Sequence, residues 1–234
     1  MAEPDGESQM NIRAIPYVLF AVILGLSIFY SVENRKGHAD VAIAESADLI
    51  QPLRSGDPAP RFFVETVAGE EFDFNPQQLE RPVVLLTFRG GWCPYCNTYL
   101  SDMRFAIPQI RELGVDVLFL SGDRAELLFD SLRLETQEDI AALNYTLLSD
   151  ANVQAATALG IAFKASQKTI DGRLAKGQDI EGSSMLKHGV LPVPSVFAID
   201  AGGTIRFVFT NADYKVRLPA EELLAVAREI AAAD

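Results

Sequence analysis

Two cysteines, two histidines and a single tryptophan are all that this 234-residue chain holds of the residue types that most often build metal and stacking sites. A zinc site needs four ligands, and His38 and His188 lie far along the chain from Cys93 and Cys96, which argues against a zinc knuckle. Basic residues are also scarce. Twenty Lys and Arg stand against 32 Asp and Glu, a formal net charge of −12. Without an excess of cations to displace phosphate counterions, a nucleic-acid partner is excluded. The same deficit argues against electrostatic docking on anionic lipid beyond a membrane anchor itself. The acidity describes a self-repelling, solvated surface. No internal repeat is present.

The two cysteines fall three residues apart in Gly90-Gly91-Trp92-Cys93-Pro94-Tyr95-Cys96, directly after the apolar run Val83–Phe88. A buried strand running into a Cys-x-x-Cys turn and then a helix points to dithiol redox chemistry. Cys93 falls at the expected helix N-terminus, where free N–H groups and the macrodipole favour thiolate. Pro94 suits the first helical position because its missing N–H would have no partner there. Cys96, one turn on, can attack a mixed disulfide formed on Cys93. A purely structural disulfide between residues this close would restrain little of the unfolded chain.

The N-terminal part reads differently. Residues 14–32, AIPYVLFAVILGLSIFYSV, carry no charge over nineteen positions. At about 1.5 Å per residue they span close to the ~30 Å of a bilayer core. Tyr17 and Tyr30 sit near the two ends, as interfacial aromatics do. The run is longer than a usual signal-peptide core, and the nearest Ala-x-Ala site, Ala42–Ala44, lies far downstream. The expectation is therefore a tail over 1–13, a single-pass anchor over 14–32, a tether over 33–57 and one globular domain over 58–234. Arg13 on one side and Arg35-Lys36 on the other slightly favour a cytoplasmic domain by charge counting. Analogy with tethered domains of similar type favours the extracytoplasmic, periplasmic side.

Within the domain, Arg61–Val67 and Glu71–Phe74 read as a hairpin around Ala68-Gly69. The buried strand Val83–Phe88 precedes a helix from Cys93 to about Leu113, which Pro108 should kink or restart. A second buried strand over 115–120, a helical stretch over 124–143, a strand over 145–148 and a helix over 153–161 follow. Residues 164–190 turn polar with no sustained period, which reads as an insertion or lid with room for one helical turn. Ser195–Asp200 and Thr204–Phe209 form a hairpin around Gly202-Gly203, and an amphipathic helix over 219–233 closes the chain. Alternating strands and helices predict a three-layer α/β/α sandwich with a mixed sheet and the Cys-x-x-Cys turn at the carboxyl end of a central strand.

These residues resemble the thioredoxin-like superfamily, and within it the peroxiredoxin-like branch of the AhpC/TSA redoxins. Phe88–Asn97 is similar to that branch's active-site turn. Leu147-Leu148-Ser149-Asp150 resembles the redoxin segment before the next helix, Leu191–Asp200 the strand that carries the superfamily's cis-proline, and Asp213–Arg217 the short segment before the last helix. The resemblance covers about residues 55 to 232. It implies a thiol-dependent antioxidant or thiol-disulfide oxidoreductase, with hydroperoxides or protein or small-molecule disulfides as substrates and an external thiol as reductant. No metal, flavin or nucleotide cofactor is implied.

The departures from the family pattern narrow this. Typical peroxiredoxins carry Thr or Ser three residues before the reactive Cys and Pro seven before it; here those positions are Gly90 and Leu86. The Arg that polarises the peroxide is replaced by Pro194. Hydrogen-bond stabilisation of developing charge is normally a large share of such catalysis. Arg89 is a candidate thiolate stabiliser, with a plain surface charge as the alternative. The buried acid of thioredoxins corresponds to Thr87, which cannot relay a proton near neutral pH.

The resemblance implies a cis Val193–Pro194 bond, leaving the Val193 backbone to pair with an extended substrate beside Cys93. The alternative is that Pro192 and Pro194 simply open an edge strand. Trp92 either shields the disulfide and contacts substrate or packs at the strand end. Cys93 and Cys96 are thus the catalytic candidates, and Trp92, Val193 and Pro194 the substrate-binding ones. Two other readings stand beside disulfide exchange. One is a dedicated thiol peroxidase. The other is a Sco-like copper-delivery factor using Cys93, Cys96 and His188, since thiolates and imidazole suit copper.

Overall fold

The computed structural model describes residues 43–143 and 145–232. The segment 14–32 expected to form an anchor, the residues before it and most of the expected tether lie outside the described residues. Among the described residues no helix is long and apolar enough to cross a membrane.

Nine strands and eight α-helices follow one another along the described residues. The first hairpin pairs β1 (Phe62–Thr66) with β2 (Glu71–Phe74), and β3 (Val83–Phe88) leads into α1 (Pro94–Asp102). A single 3-10 turn over 103–105 separates α1 from α2 (Ile107–Glu112). The break falls where Pro108, in the first turn of α2, cannot donate to the turn before it. Next come β4 (Asp116–Ser121), α3 (Ala125–Leu128), α4 (Leu134–Leu143), β5 (Thr146–Ser149) and α5 (Gln154–Ala158). After them run β6 (Ala162–Lys164), α6 (Gln167–Leu174), α7 (Ser184–His188) and β7 (Val190–Pro192). The hairpin β8 (Ser195–Ile199) and β9 (Ile205–Thr210) and the helix α8 (Ala220–Ala231) finish the domain.

Seven strands form one mixed sheet in the order β2-β1-β5-β4-β3-β8-β9. β3, β4 and β5 run parallel, and the remaining pairings are antiparallel. All six residues of β3 are buried. Because side chains alternate across a pleated strand, Val84, Leu86 and Phe88 enter one apolar cluster and Val83 and Leu85 the other. Residues of α1, α2, α4 and α8 line the first cluster, and α5 with the N-terminal segment lines the second. The sheet is therefore covered on both faces, the expected three layers. In α8 the buried positions Leu223, Val226, Ala227 and Ile230 follow helical spacing.

Two expectations need correction. Residues 43–57, read as part of the tether, belong to the packed domain. The Ala44 N–H donates to the Ala162 carbonyl at 2.9 Å, Lys164 N–H returns to Ala44 O at 2.8 Å, and Leu53 N–H donates to Leu159 O at 3.1 Å. Ile43, Ile50 and Leu53 also pack on the second cluster. A few well-spaced apolar residues are enough to seat an extended segment on a sheet edge and a helix end. Likewise, 164–190 is no loose insertion. It holds two helices and pairs β6 with β7, from Ala162 opposite Pro192 to Lys164 opposite Val190. Short side-chain caps start its helices, Ser166 accepting from Thr169 N–H and Ser183 from Met185 N–H.

Candidate active site

The parallel pairing of β3 and β4 runs in register to Phe88 opposite Ser121, so the two strand ends stop side by side. The chain leaving β3 is Arg89-Gly90-Gly91; the chain leaving β4 is Gly122-Asp123. The Gly91 N–H donates to Asp123 Oδ2 at 2.7 Å, and Ser131 Oγ donates to the same oxygen at 3.2 Å. Gly90 has φ +148°, and a Cβ there would stand 2.4 Å from both Asp123 Oδ1 and Trp92 Nε1. A Cβ on Gly91 would meet Ser131 Oγ at 2.1 Å and its backbone at 2.5 Å. Both glycines are thus required by close approach. The side-chain hydroxyl that typical peroxiredoxins carry at the Gly90 position has no room.

Cys93 is the N-cap of α1 and Pro94 its first residue, as expected. Both cysteines are free thiols, Cys93 1% exposed and Cys96 fully buried. Cys93 is pulled down to about 6, first by a hydrogen bond from the Cys96 thiol, then by the Cys96 backbone N–H and the charges of Arg89 and Arg217, with burial opposing. Cys96 is pushed well above the usual thiol range by burial and by its donation to Cys93. The two opposite shifts favour ionisation of Cys93 ahead of Cys96.

Arg89 is not a surface charge. It is 5% exposed, and its Cζ lies 4.5 Å from the Tyr214 ring centroid and 5.8 Å from that of Trp92. Burial lowers its pKa from the usual arginine range, while the two cysteines support its charge. Trp92 is buried, and its backbone carbonyl accepts from Gln178 Nε2 at 2.8 Å. Its indole nitrogen and Asp123 Oδ1 are both buried beside Gly90, each 2.4 Å from where a Cβ on that residue would stand, and the indole N–H helps to stabilise the carboxylate. The Asp123 carboxyl is raised to about 6 by burial, against the lowering effects of Gly91, Ser131 and Trp92.

Val193 and Pro194 are placed differently from expectation. No cis peptide bond occurs among the described residues, so Val193–Pro194 is trans. The Val193 N–H donates to Ile161 O at 2.9 Å, and its carbonyl accepts from Thr87 Oγ1 at 3.2 Å and from Ser195 Oγ at 2.8 Å. Both backbone groups are consumed by the fold and Val193 is 1% exposed, so it offers no strand edge to a substrate. Thr87, in the thioredoxin acid's position, accepts from Ser195 N–H at 2.9 Å and so braces this connection.

His188 is exposed at the end of α7, and no group of three His, Cys, Asp or Glu among the described residues could hold a metal ion. The copper reading therefore loses its third ligand. A cleft of about 250 Å³ lined by Glu65, Ser149, Asp150 and Gln154 contains neither cysteine.

Several residues at the site were not singled out from the sequence. Asn97 Nδ2 donates to Gly91 O at 2.6 Å and Cys93 O at 3.1 Å, while its Oδ1 accepts from Arg133 N–H at 2.7 Å. Arg217 Nη2 lies 3.8 Å from Cys96 Sγ. Arg173 Cζ stands 5.3 Å from the Trp92 ring centroid, and Tyr214 meets Tyr95 edge-on at 5.7 Å. Asp123 had a readable signal, the matched ends of two buried parallel strands. Tyr214 and Arg217 lie in the segment 213–217 that the resemblance marked, without a role at the cysteines being read from it, and Arg173 had no signal because it arrives from a distant polar segment.

Residues 55–208 match the model of the AhpC/TSA family. The chain is 30% identical over 162 residues to peroxiredoxin Bcp of Escherichia coli strain K12, covering 69% of this chain and 88% of that protein. It is 23% identical over 155 residues to the thiol-disulfide oxidoreductase ResA of Bacillus thuringiensis subsp. konkukian, covering 66% and 69%. Among solved structures, a peroxiredoxin-like protein from Aquifex aeolicus superposes with a TM-score of 0.54 at 19% identity, over 77% of this chain and 89% of that one. Peroxiredoxin 6 of Arenicola marina superposes with a TM-score of 0.56 at 15% identity, over 75% and 72%. Two free thiols at the start of a helix on a mixed sheet, together with these matches, make the chain a member of the AhpC/TSA family and a thiol redox enzyme.

Proposed function

We propose that the protein is a membrane-anchored thiol-disulfide oxidoreductase in which Cys93 attacks and Cys96 resolves. The observation that carries this reading is the placement of the pair, Cys93 at the helix N-cap and Cys96 fully buried one turn on, an arrangement that lowers the pKa of the first thiol and raises that of the second. The Cys93 thiolate attacks one sulfur of a disulfide, forming a mixed disulfide and expelling a thiolate. Cys96 then gives up its proton and attacks the Cys93 sulfur, expelling the second thiolate. The leaving groups take up protons from Cys96 and solvent. Two electrons pass from the protein dithiol to the substrate, and an external thiol donor restores the pair.

Reduction of a hydroperoxide is the second reading, favoured by the guanidinium charges of Arg89 and Arg217 acting on the thiolate. Gly90 has no hydroxyl and Pro194 no donor, so disulfide exchange comes first. Because Cys93 is almost fully covered, either substrate reaches it only as the surrounding side chains yield.

Stopped-flow oxidation separates the two. Dithiol exchange predicts rapid single-turnover oxidation by a small disulfide and a hydrogen peroxide rate no faster than that of a free low-pKa thiol. A peroxide rate orders of magnitude above that thiol overturns the preference. Cys93→Ser should abolish activity, and Cys96→Ser should trap mixed disulfides; loss of all reactivity in the Cys96 variant would reverse the assigned roles.

The anchor at 14–32, supported by the nineteen uncharged residues, and an extracytoplasmic domain, taken from analogy with tethered domains of similar type, complete the proposal. Recovery of the full chain in the membrane fraction, release on deleting residues 1–32, and protease sensitivity in spheroplasts test it. A soluble full-length chain would end the anchor.

A further inference from the structure

Three arginines converge on the cysteine pair from separate segments. Arg89 follows β3, Arg173 lies in α6, and Arg217 precedes α8. Arg89 and Arg173 share the rings of Trp92 and Tyr214, with Arg173 Cζ 5.3 Å and 5.9 Å from the two centroids. Arg217 lies over Tyr99 at 5.7 Å and touches Cys96. None of the ion pairs among the described residues involves any of the three. The Nε atoms of Arg89 and Arg217 are buried without a hydrogen-bond partner, and Arg89 is 5% exposed.

This surplus runs against the rest of the chain, whose net charge is −12. A buried cation with no counterion is costly, and like charges side by side add to the cost. The aromatic faces offset part of it. The Cys93 thiolate neutralises one charge, and Cys96 stays a neutral thiol. The remaining positive charge is held at the Trp92–Tyr214 pair, where Arg173 is half-buried and Tyr95 is exposed.

We infer that these arginines bind a carboxylate of the substrate, so that the preferred disulfide is a small molecule carrying an acid group close to its sulfur. The inference rests on the disulfide-exchange reading and names its substrate class. A small molecule fits better than an acidic protein for two reasons. The overall negative charge repels an acidic macromolecule before contact, and the nearly covered Cys93 leaves little room for a folded partner. Guanidinium groups recognise a carboxylate in a planar, two-donor fashion; Arg173 Nη1 donates to Gln178 Oε1 at 3.2 Å, which leaves the Nε and Nη2 edge of this half-buried side chain to face a carboxylate.

Three symmetric disulfides test this on the reduced full-length protein: dithiodiacetate (anionic), bis(2-hydroxyethyl) disulfide (neutral) and cystamine (cationic). Single-turnover rates, followed by Trp92 fluorescence and acid-quench mass spectrometry, are each divided by the rate with free 2-mercaptoethanol. The normalised rate for dithiodiacetate should exceed the neutral one by about tenfold, with cystamine slowest, and the preference should shrink as salt is raised. Arg173→Gln should lower the anionic-to-neutral ratio by at least about threefold. Arg89→Gln tests the same point, but its burial puts folding at risk, so Arg173→Gln decides.

A second measurement is independent of turnover. Thiodiacetate, the unreactive thioether, should quench or shift Trp92 fluorescence saturably, more weakly in salt and in Arg173→Gln, whereas thiodiethanol should not. Equal normalised rates, or preference for cystamine, together with no thiodiacetate binding overturn the inference. Binding of thiodiacetate with no reaction of any disulfide would instead remove the disulfide-exchange reading.

Discussion

The Gly91 backbone N–H donates to Asp123 Oδ2 at 2.7 Å, so a strand without a cysteine holds the turn that positions both. The contact exists because β3 and β4 end in register, and because Gly90 and Gly91 leave space for the carboxylate. Asp123 reaches the turn from the neighbouring strand, whereas the acid of thioredoxins would sit at Thr87 on the same one.

Asp123→Ala should therefore destabilise the reduced protein by about 1–3 kcal/mol, the cost of a buried N–H left without a partner. Asp123→Asn keeps an acceptor and should recover part of that loss. Urea unfolding at pH 7 measures both. An alanine variant as stable as the parent would show that the carboxylate does not hold the turn.

Restoring the typical peroxiredoxin hydroxyl should fail. In Gly90→Thr the added Cβ meets Asp123 Oδ1 and Trp92 Nε1 at 2.4 Å on a backbone with φ +148°. A loss of about 1–3 kcal/mol is expected from overpacking, and more from backbone strain. Peroxide reactivity should not rise. A stable variant with faster peroxide turnover would refute this steric account.

The Cys93 thiolate should titrate near pH 6, read as absorbance at 240 nm in the reduced protein. Cys96→Ala should raise the midpoint most, because the Cys96 thiol is the main source of the depression. Arg217→Leu should raise it less. Alkylation by iodoacetamide should follow the same order. A midpoint near 9 in the parent would remove the thiolate from the mechanism.

Stability should respond to pH through the same thiol. Cys93 ionises near 6 when folded and near 9 when unfolded, so its contribution is complete above 9 and is lost as pH falls toward 6. Cys96, raised in the fold, acts oppositely, and its contribution disappears as pH rises above 9. Asp123, raised to about 6 from 3.8, contributes stability below 3.8 that is lost as pH rises through 6. Comparing the parent with Cys93→Ser under reducing conditions at pH 6 and 8 removes the carboxylate effects. The parent should gain stability relative to the variant between those values, by about a few kcal/mol at most. An unchanged difference would refute it.

Local pattern alone located most of the architecture. The run Val83–Phe88 is β3 residue for residue, the glycine-turn hairpin is β8 and β9, and Pro108 breaks the helix after the cysteines. These features depend on neighbours in the chain: periodicity, a missing donor, a turn residue. The same holds for the unequal cysteines, whose positions relative to one helix N-terminus are set by four consecutive residues. Where pattern was weak, reading it failed. Residues 43–57 and 164–190 looked like tether and loop because their apolar residues are sparse, yet backbone hydrogen bonds to strands and helix ends tie both to the domain.

The Cys93–Cys96 chemistry was thus written in the order of residues, since strand, turn and helix N-cap are contiguous. The charge around it was not. Arg217 stands 121 residues from Cys96 in sequence, and Arg173 reaches Trp92 from a helix that polar composition concealed. Nor could the chain order show that the Val193 backbone is consumed by Ile161, Thr87 and Ser195. Electrostatic fields and hydrogen-bond saturation depend on distance in space, and only the folded sheet brings those distant residues together around the pair.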